Sequence, residues 1–362
     1  MLHSKTGEMK LVIPIMVCWL YMVSAYAQKY SNEFLSIGIG ARAQAMGTAV
    51  IAGGQDVTAG VWNPAGLAFA EYEISAMHAE WFGGIGKFDY AGIALPTGVP
   101  HRKLGISLIR FGIDQIPLTL SLYDSDGTVN YDNISEFSAA DYALILSIAQ
   151  LMKPGSERFS LGGNIKIIHR SIGPFANAWG FGADLGLQLN LSGWKLGLLV
   201  RDITTTFNAW SFSFTEEQQQ VLTFTNNELP VNSLEITKPQ LLAGITRRFV
   251  FGQLGLAPEL NIIVSTDGRR NTLFAGDPFS LDPAAGLEFD YKSFVFLRAG
   301  ISQFQRIPDL GGRELLGSRP AIGLGLKLGR LHVDYAYTDV GARQNTYSHI
   351  ISLRLGLKKA QE

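Results

Sequence analysis

Residues 179–190 read Trp179-Gly180-Phe181-Gly182-Ala183-Asp184-Leu185-Gly186-Leu187-Gln188-Leu189-Asn190. Trp179, Phe181, Ala183, Leu185, Leu187 and Leu189 take every second position, and Gly, Asp, Gln and Asn hold those between. A helix would spread both sets around its circumference, whereas a pleated strand sends them to opposite faces. The stretch is a strand with one apolar and one polar face.

The same rule recurs outward from it. Ile351, Leu353, Leu355 and Leu357 alternate with Ser352, Arg354 and Gly356, and residues 159–167 put Ser160, Gly162, Asn164 and Lys166 on one side. From residue 72 the alternation marks fourteen strands: 72–81, 86–96, 103–112, 136–151, 157–170, 175–190, 193–203, 239–249, 255–266, 283–291, 293–304, 319–329, 330–339 and 346–358. The connections after even-numbered strands are short. Those after strands three, seven, nine and eleven are long, covering 113–135, 204–238, 267–282 and 305–318. An even number of long strands, with short turns at one end and long loops at the other, is the pattern of an outer-membrane barrel. The expected fold class is all-β, a 14-stranded antiparallel transmembrane β-barrel.

An exported β-sandwich or β-propeller would also alternate. Here the apolar faces are nearly free of charge, while Lys166, Asp184, Arg298, Lys327, His332, Asp334 and Arg354 lie on the opposite ones. Trp179, Trp194, Tyr335, Tyr337 and Tyr347 stand near strand ends, as interfacial girdles do. These features favour the barrel.

The chain has 362 residues, 47% of them hydrophobic, with 40 Gly and one Cys. That composition excludes a disordered chain and a disulfide-stapled miniprotein. Lys and Arg number 30 against 31 Asp and Glu, so no nucleic-acid partner is expected. The one long apolar run, 11–23, falls short of the roughly 20 residues of a helical span. It reads instead as the core of a secretory signal peptide at 1–27. Lys5 and Lys10 precede it, and Ser24-Ala25-Tyr26-Ala27 places small residues for cleavage after Ala27. Cys18 would leave with this segment, as would Lys5, Lys10 and Glu8, so 28 basic and 30 acidic groups remain. The expected location is the outer membrane of a Gram-negative bacterium, surrounded by its lipid.

Residues 28–70 do not read as strands. Gly38, Gly40, Gly47, Gly53, Gly54, Gly60 and Gly66 surround an Asn63-Pro64 break. A fourteen-stranded barrel encloses more space than its own side chains fill. This segment is expected to plug it as an N-terminal hatch, with lumen-side glycines of the wall leaving room for the opposing wall or for the plug. The expected organisation is a signal peptide at 1–27, the hatch at 28–70, the barrel at 71–358 and a tail at 359–362.

The hatch carries a family resemblance. Tyr30-Ser31-Asn32-Glu33-Phe34-Leu35, the run Gly38-Ile39-Gly40-Ala41-Arg42-Ala43-Gln44-Ala45-Met46-Gly47, Asp56, and Trp62-Asn63-Pro64-Ala65-Gly66-Leu67-Ala68 resemble the start of the PorV/PorQ family. That family belongs to a wider FadL-like group of outer-membrane barrels. The resemblance implies a fourteen-stranded barrel with a hatch. For PorV-like members it also implies a part in type IX secretion, with the translocon, the attachment machinery and cargo C-terminal signal domains as partners. Arg42, Asn63, Pro64, Ala65 and Gly66 are the candidate hatch residues. In a structural reading Pro64 ends a short helix over 56–62, and Arg42 pairs with a lumen carboxylate such as Asp184 or Asp334. In the other reading they belong to a ligand gate.

Enzymatic chemistry finds little support. Gly38-Ile39-Gly40-Ala41-Arg42-Ala43 fits a dinucleotide fingerprint only superficially, since no βαβ unit surrounds it. Ser192-Gly193-Trp194-Lys195 has Ser-x-x-Lys spacing but straddles a tight turn. The six histidines are scattered without metal-ligand spacing. No catalytic residue, cofactor or metal is expected, and the protein is expected not to be an enzyme. Lys166 and Asp184, on neighbouring strands, are expected to pair. The loop at 204–238 combines Phe207, Trp210, Phe212, Phe214 and Phe224 with the acidic and amide run Glu216-Glu217-Gln218-Gln219-Gln220. Exposed aromatics flanked by polar residues suit recognition; alternatively, the loop folds over the barrel mouth and packs on itself. Together with the resemblance, the expectation is a non-enzymatic type IX secretion component that binds cargo through its loops. The alternative is a FadL-like transporter of fatty acids or other hydrophobic compounds.

Overall fold

The computed structural model describes residues 31–124, 126–153, 156–308, 313–339 and 347–357. The expected signal peptide, its cleavage point and the tail lie outside the described residues.

Fourteen antiparallel strands close on themselves. They are β1 (Glu73–Trp81), β2 (Gly86–Pro96), β3 (Arg102–Leu118), β4 (Ser135–Lys153), β5 (Ser156–Ile172) and β6 (Ala176–Leu191). β7 follows in two pieces, Trp194–Arg201 and Thr206–Phe212, and β8 in three, Ser233–Thr237, Gln240–Arg247 and Phe249–Phe251. β9 (Leu254–Ser265), β10 (Ser280–Tyr291), β11 (Val295–Pro308), β12 (Glu314–Leu328), β13 (Leu331–Asp339) and β14 (Tyr347–Gly356) complete the wall. Each strand pairs with its neighbours in sequence, and β14 closes on β1, Glu73 opposite Gly356.

The alternation read from the sequence becomes an inside and an outside. On β6 Gly180, Gly182, Asp184, Gly186 and Gln188 are buried toward the lumen, while Trp179, Phe181 and Leu185 are exposed. Ile106, Leu108, Leu146, Ile165, Leu324, Ile351 and Leu353 are likewise exposed on the outer wall. A soluble sandwich buries such residues and wets the polar set. This closed wall does the reverse, as lipid demands.

The strands match the expected ones in number and order, but β3 runs on to Leu118 and β12 starts at Glu314, inside spans expected to be loop, and the largest difference falls between 204 and 238. That span is not one loop. Thr206–Phe212 pairs with β6 and Ser233–Thr237 pairs with Thr206–Trp210, so both belong to the wall. The interruption in β7 falls at Asp202 and Thr205, both with positive φ, and that of β8 at Lys238-Pro239. A proline cannot donate to the ladder, which accounts for the second break.

Residues 31–70 lie inside the barrel. They form α1 (Glu33–Ser36), α2 (Ala41–Ala45), α3 (Ala59–Trp62) and a 3₁₀ turn, Pro64–Phe69. Phe34, Ile39, Met46, Ile51 and Trp62 pack against inward residues of the wall such as Met77, Trp81, Phe88, Tyr90, Ile109 and Ile145. The wall glycines make room for this segment, as expected. A Cβ on Gly162 would come within 3 Å of Pro64 and Ala65, and one on Gly300 within 3 Å of Met46 and Gly47. Gly186, Gly197, Gly286 and Gly323 meet the segment in the same way.

Candidate functional site

The lumen segment is fixed by polar contacts that converge from strands far apart in sequence. Arg42, on α2, meets Glu288 rather than Asp184 or Asp334. Glu288 Oε2 accepts from Arg42 Nε at 2.8 Å and from Arg298 Nε at 2.7 Å, and Arg298 Nη1 donates to Asp334 Oδ1 at 2.6 Å. The chain of charges alternates in sign, the condition under which buried ions persist. Burial works against the Arg42 charge, but Glu288 holds its pKa above the ordinary arginine value.

A second set ties down Asp56. Arg354 Nη1 lies 2.6 Å from Asp56 Oδ2, and Arg354 Nε lies 3.8 Å from Glu73 Oε2. Glu73 Oε1 accepts from the Val57 backbone N–H at 2.7 Å. Burial opposes the Asp56 charge; Arg354 and Arg42 outweigh it and hold the carboxyl below its usual range.

Asn63 is wholly buried. Its Nδ2 donates to the carbonyls of Ile51 (2.9 Å) and Leu187 (3.1 Å), and its Oδ1 accepts from Ala65 N–H at 3.2 Å. Pro64 opens the 3₁₀ turn that Asn63 caps, a place where its missing N–H costs nothing. Ala65 O accepts from Ser160 Oγ at 2.9 Å, and Gly66 packs against Gly54. These four residues thus splice the segment to β5 and β6.

Lys166 and Asp184 pair as expected, at 2.7 Å, and a third partner joins them that alternation does not reveal. Lys166 Nζ also contacts Asp202, whose side chain accepts from Thr206 Oγ1. Asn164 Nδ2 donates to Asp184 Oδ2 at 3.0 Å. The cluster backs the interruption of β7, where Ile203 N–H and Thr204 Oγ1 bond across to Ala183. The wall is broken there in register but closed in hydrogen bonding.

The five loop candidates separate. Phe207 faces outward from β7 against Phe181, ring centroids 5.9 Å apart. Trp210 and Phe212 stack at 6.1 Å, and Trp210 Nε1 donates to Glu235 Oε2 at 3.2 Å. Phe214 stacks on Phe175 at 5.8 Å. Phe224 alone projects: it ends α4 (Glu216–Phe224), a helix opened by a Thr215/Gln218 capping box, and is 94% exposed.

A cavity of about 420 Å³ lies between the lumen segment and the upper parts of β8–β11. Ile51, Trp62, Leu242, Ile263 and Ala284 give it apolar surface. Arg201, Gln240, Asn261, Asp282, Ser302 and Gln305 add polar groups, and Arg270, Asn271 and Thr272 of the β9–β10 connection stand at the loop end. Arg270 is neutralised by Asp267 at 2.7 Å and Glu33 at 3.2 Å. Asn261 Oδ1 and Asp282 Oδ1 are buried acceptors with no partner among the described residues, so a bound molecule or water can supply their donors. Sequence reading missed this cavity altogether.

No protein-family model matches the chain, and no curated protein matches it. Solved structures do. The Ralstonia pickettii toluene transporter TbuX superposes with a TM-score of 0.52 at 12% identity, over 89% of this chain and 99% of that one. The monoaromatic hydrocarbon channel CymD gives 0.56 at 13% identity, over 90% and 99%. A FadL homologue from Pseudomonas aeruginosa gives 0.50 at 12% identity, over 87% and 97%. At these identities the likeness speaks for architecture: the chain has the fourteen-stranded barrel fold of the FadL-like outer-membrane proteins.

Proposed function

We propose that this protein is an outer-membrane channel of the FadL-like type that admits small hydrophobic compounds through its long-loop mouth. The observation that carries the reading is the cavity on the lumen segment. Its volume falls in the range of small-molecule sites, and it joins apolar surface to a few convergent polar groups. The similar structures include a toluene transporter and a monoaromatic hydrocarbon channel, which supports the same substrate class. Passage beyond the cavity requires residues 31–70 to shift as a gate, because Thr48, Ile51 and Trp62 of that segment line it.

The test is uptake of labelled toluene and labelled fatty acid by cells lacking the gene. Uptake falls, wild-type protein restores it, and Ala284→Phe, which fills the cavity, does not. Undiminished uptake in the deletion strain would overturn the reading.

A second reading is a PorV/PorQ-type role in type IX secretion. It is supported by Phe224 and Leu229, which border an open groove along α4 that a channel does not need. In that case the deletion strain loses surface display of cargo while uptake stays normal.

A further inference from the structure

The outer wall is uneven. A strand tilted by about 40° climbs roughly 2.5 Å per residue, so an apolar band about 25 Å tall covers roughly ten residues from the short-turn end. On β6 the outward positions Leu191, Leu189, Leu187, Leu185, Ala183 and Phe181 fill that span, with Trp179 above it. On β1–β3 the band stops half-way. Outward His78 and Glu80 lie five and seven residues beyond Glu73, Asp89 seven from Pro96, and Arg110 eight beyond Arg102.

These groups pair sideways along the wall. His78 Nδ1 is 2.7 Å from Asp89 Oδ1, Arg110 Nη1 is 3.2 Å from Asp89 Oδ2, and Lys87 Nζ is 3.1 Å from Asp114 Oδ2. Their side chains remain between 31% and 56% exposed. Beneath the row, Ile74, Ala76, Ala91, Ile93, Leu108 and Leu353 line a groove of about 640 Å³ on the outer face. It is hollow because Ala76 and Ala91 are small among leucines and isoleucines.

We infer that this face of β14 and β1–β3 docks a second copy of the chain. Lipid tails offer the exposed row no hydrogen-bonding partner. Anionic headgroups find no excess of positive charge, since Lys87 and Arg110 stand against Glu80, Asp89 and Asp114. A row carrying both signs complements itself across a two-fold axis. The groove below supplies the apolar centre that such an interface requires.

Single cysteines test this in intact outer membranes, because the only native one, Cys18, lies in the segment expected to be removed. With a short bis-maleimide, at least one of Ala76→Cys, Ala91→Cys and Leu108→Cys gives a species of twice the monomer mass. Phe181→Cys on β6 does not. Arg110→Glu in the reactive variant abolishes that species, while heat-modifiable gel mobility reports that the barrel is still folded. Monomer at every position, equal yields at all four, linkage to a different protein, or a dimer that survives Arg110→Glu would each overturn the proposal.

Discussion

The lumen segment meets the wall in two unlike ways. Toward β12–β14 and the lower parts of β10 and β11 it is locked. Arg42 joins the Glu288–Arg298–Asp334 chain, Asp56 holds Arg354, and Ala45, Met46 and Gly47 sit directly on Gly323, Gly286 and Gly300. Toward the upper parts of β8–β11 it stops short and leaves the cavity. The contrast gives the segment a fixed flank and a free one. A movement that opens the lumen would start at the free flank, where the part-exposed Glu33–Arg270 pair is the charge contact to separate, and hinge on the other.

The largest effect expected from breaking this contrast is on the locked flank. Arg298→Leu removes the cation between Glu288 and Asp334 and leaves two buried carboxylates without it. Loss of one partner from a buried network costs about 3–5 kcal/mol. Urea unfolding, followed by loss of the fast-migrating folded band, should show a fall of that size. Gln305→Leu, exposed at the free flank, should stay within about 0.5 kcal/mol. Equal losses from both would erase the distinction between the flanks.

A smaller effect is expected where backbone rests on glycine. Gly300→Leu drives a side chain into Met46 and Gly47, and overpacking of this kind costs about 1–3 kcal/mol. The barrel keeps its own ladder, so the strain is relieved by displacing the lumen segment. Planar-bilayer recordings should then show a conductance well above wild type with the folded band retained. A variant that is both folded and as tight as wild type would mean that the segment yields locally and is not locked as a unit.

The wall was legible in the sequence because lipid outside and a crowded lumen inside force a period of two on almost every strand. Where that contrast lapses, reading failed. In Thr206–Phe212 the outward positions hold Phe207 and Ala209, and the inward ones hold Trp210 and Phe212 beside Thr206 and Asn208. With aromatics on both faces, polarity ceases to alternate and the strand resembles a loop. The partner of Arg42 was hidden for another reason. Alternation shows that Glu288, Asp184 and Asp334 all face inward, but which of them meets Arg42 depends on how the lumen segment sits in the closed barrel. There Lys166 already occupies Asp184, and Arg298 holds Asp334. The cavity was invisible because it is a lack of packing between segments some two hundred residues apart.

The smallest expected effect is of pH on the locked flank. Asp56 has its pKa held below the ordinary carboxylate value of 3.8 by Arg354 and Arg42. A depressed carboxyl contributes stability that is complete above the unfolded value and lost only as pH falls through the folded one. The Asp56-dependent part of the barrel's conductance should therefore stay flat above the ordinary carboxylate range and rise only below it. Asp56→Asn, which cannot carry the charge, should remove that acid-induced rise and leak modestly at every pH. A rise already present between pH 6 and 5 would show that another group governs closure. The fixed flank would then lie elsewhere than at Asp56 and Arg354.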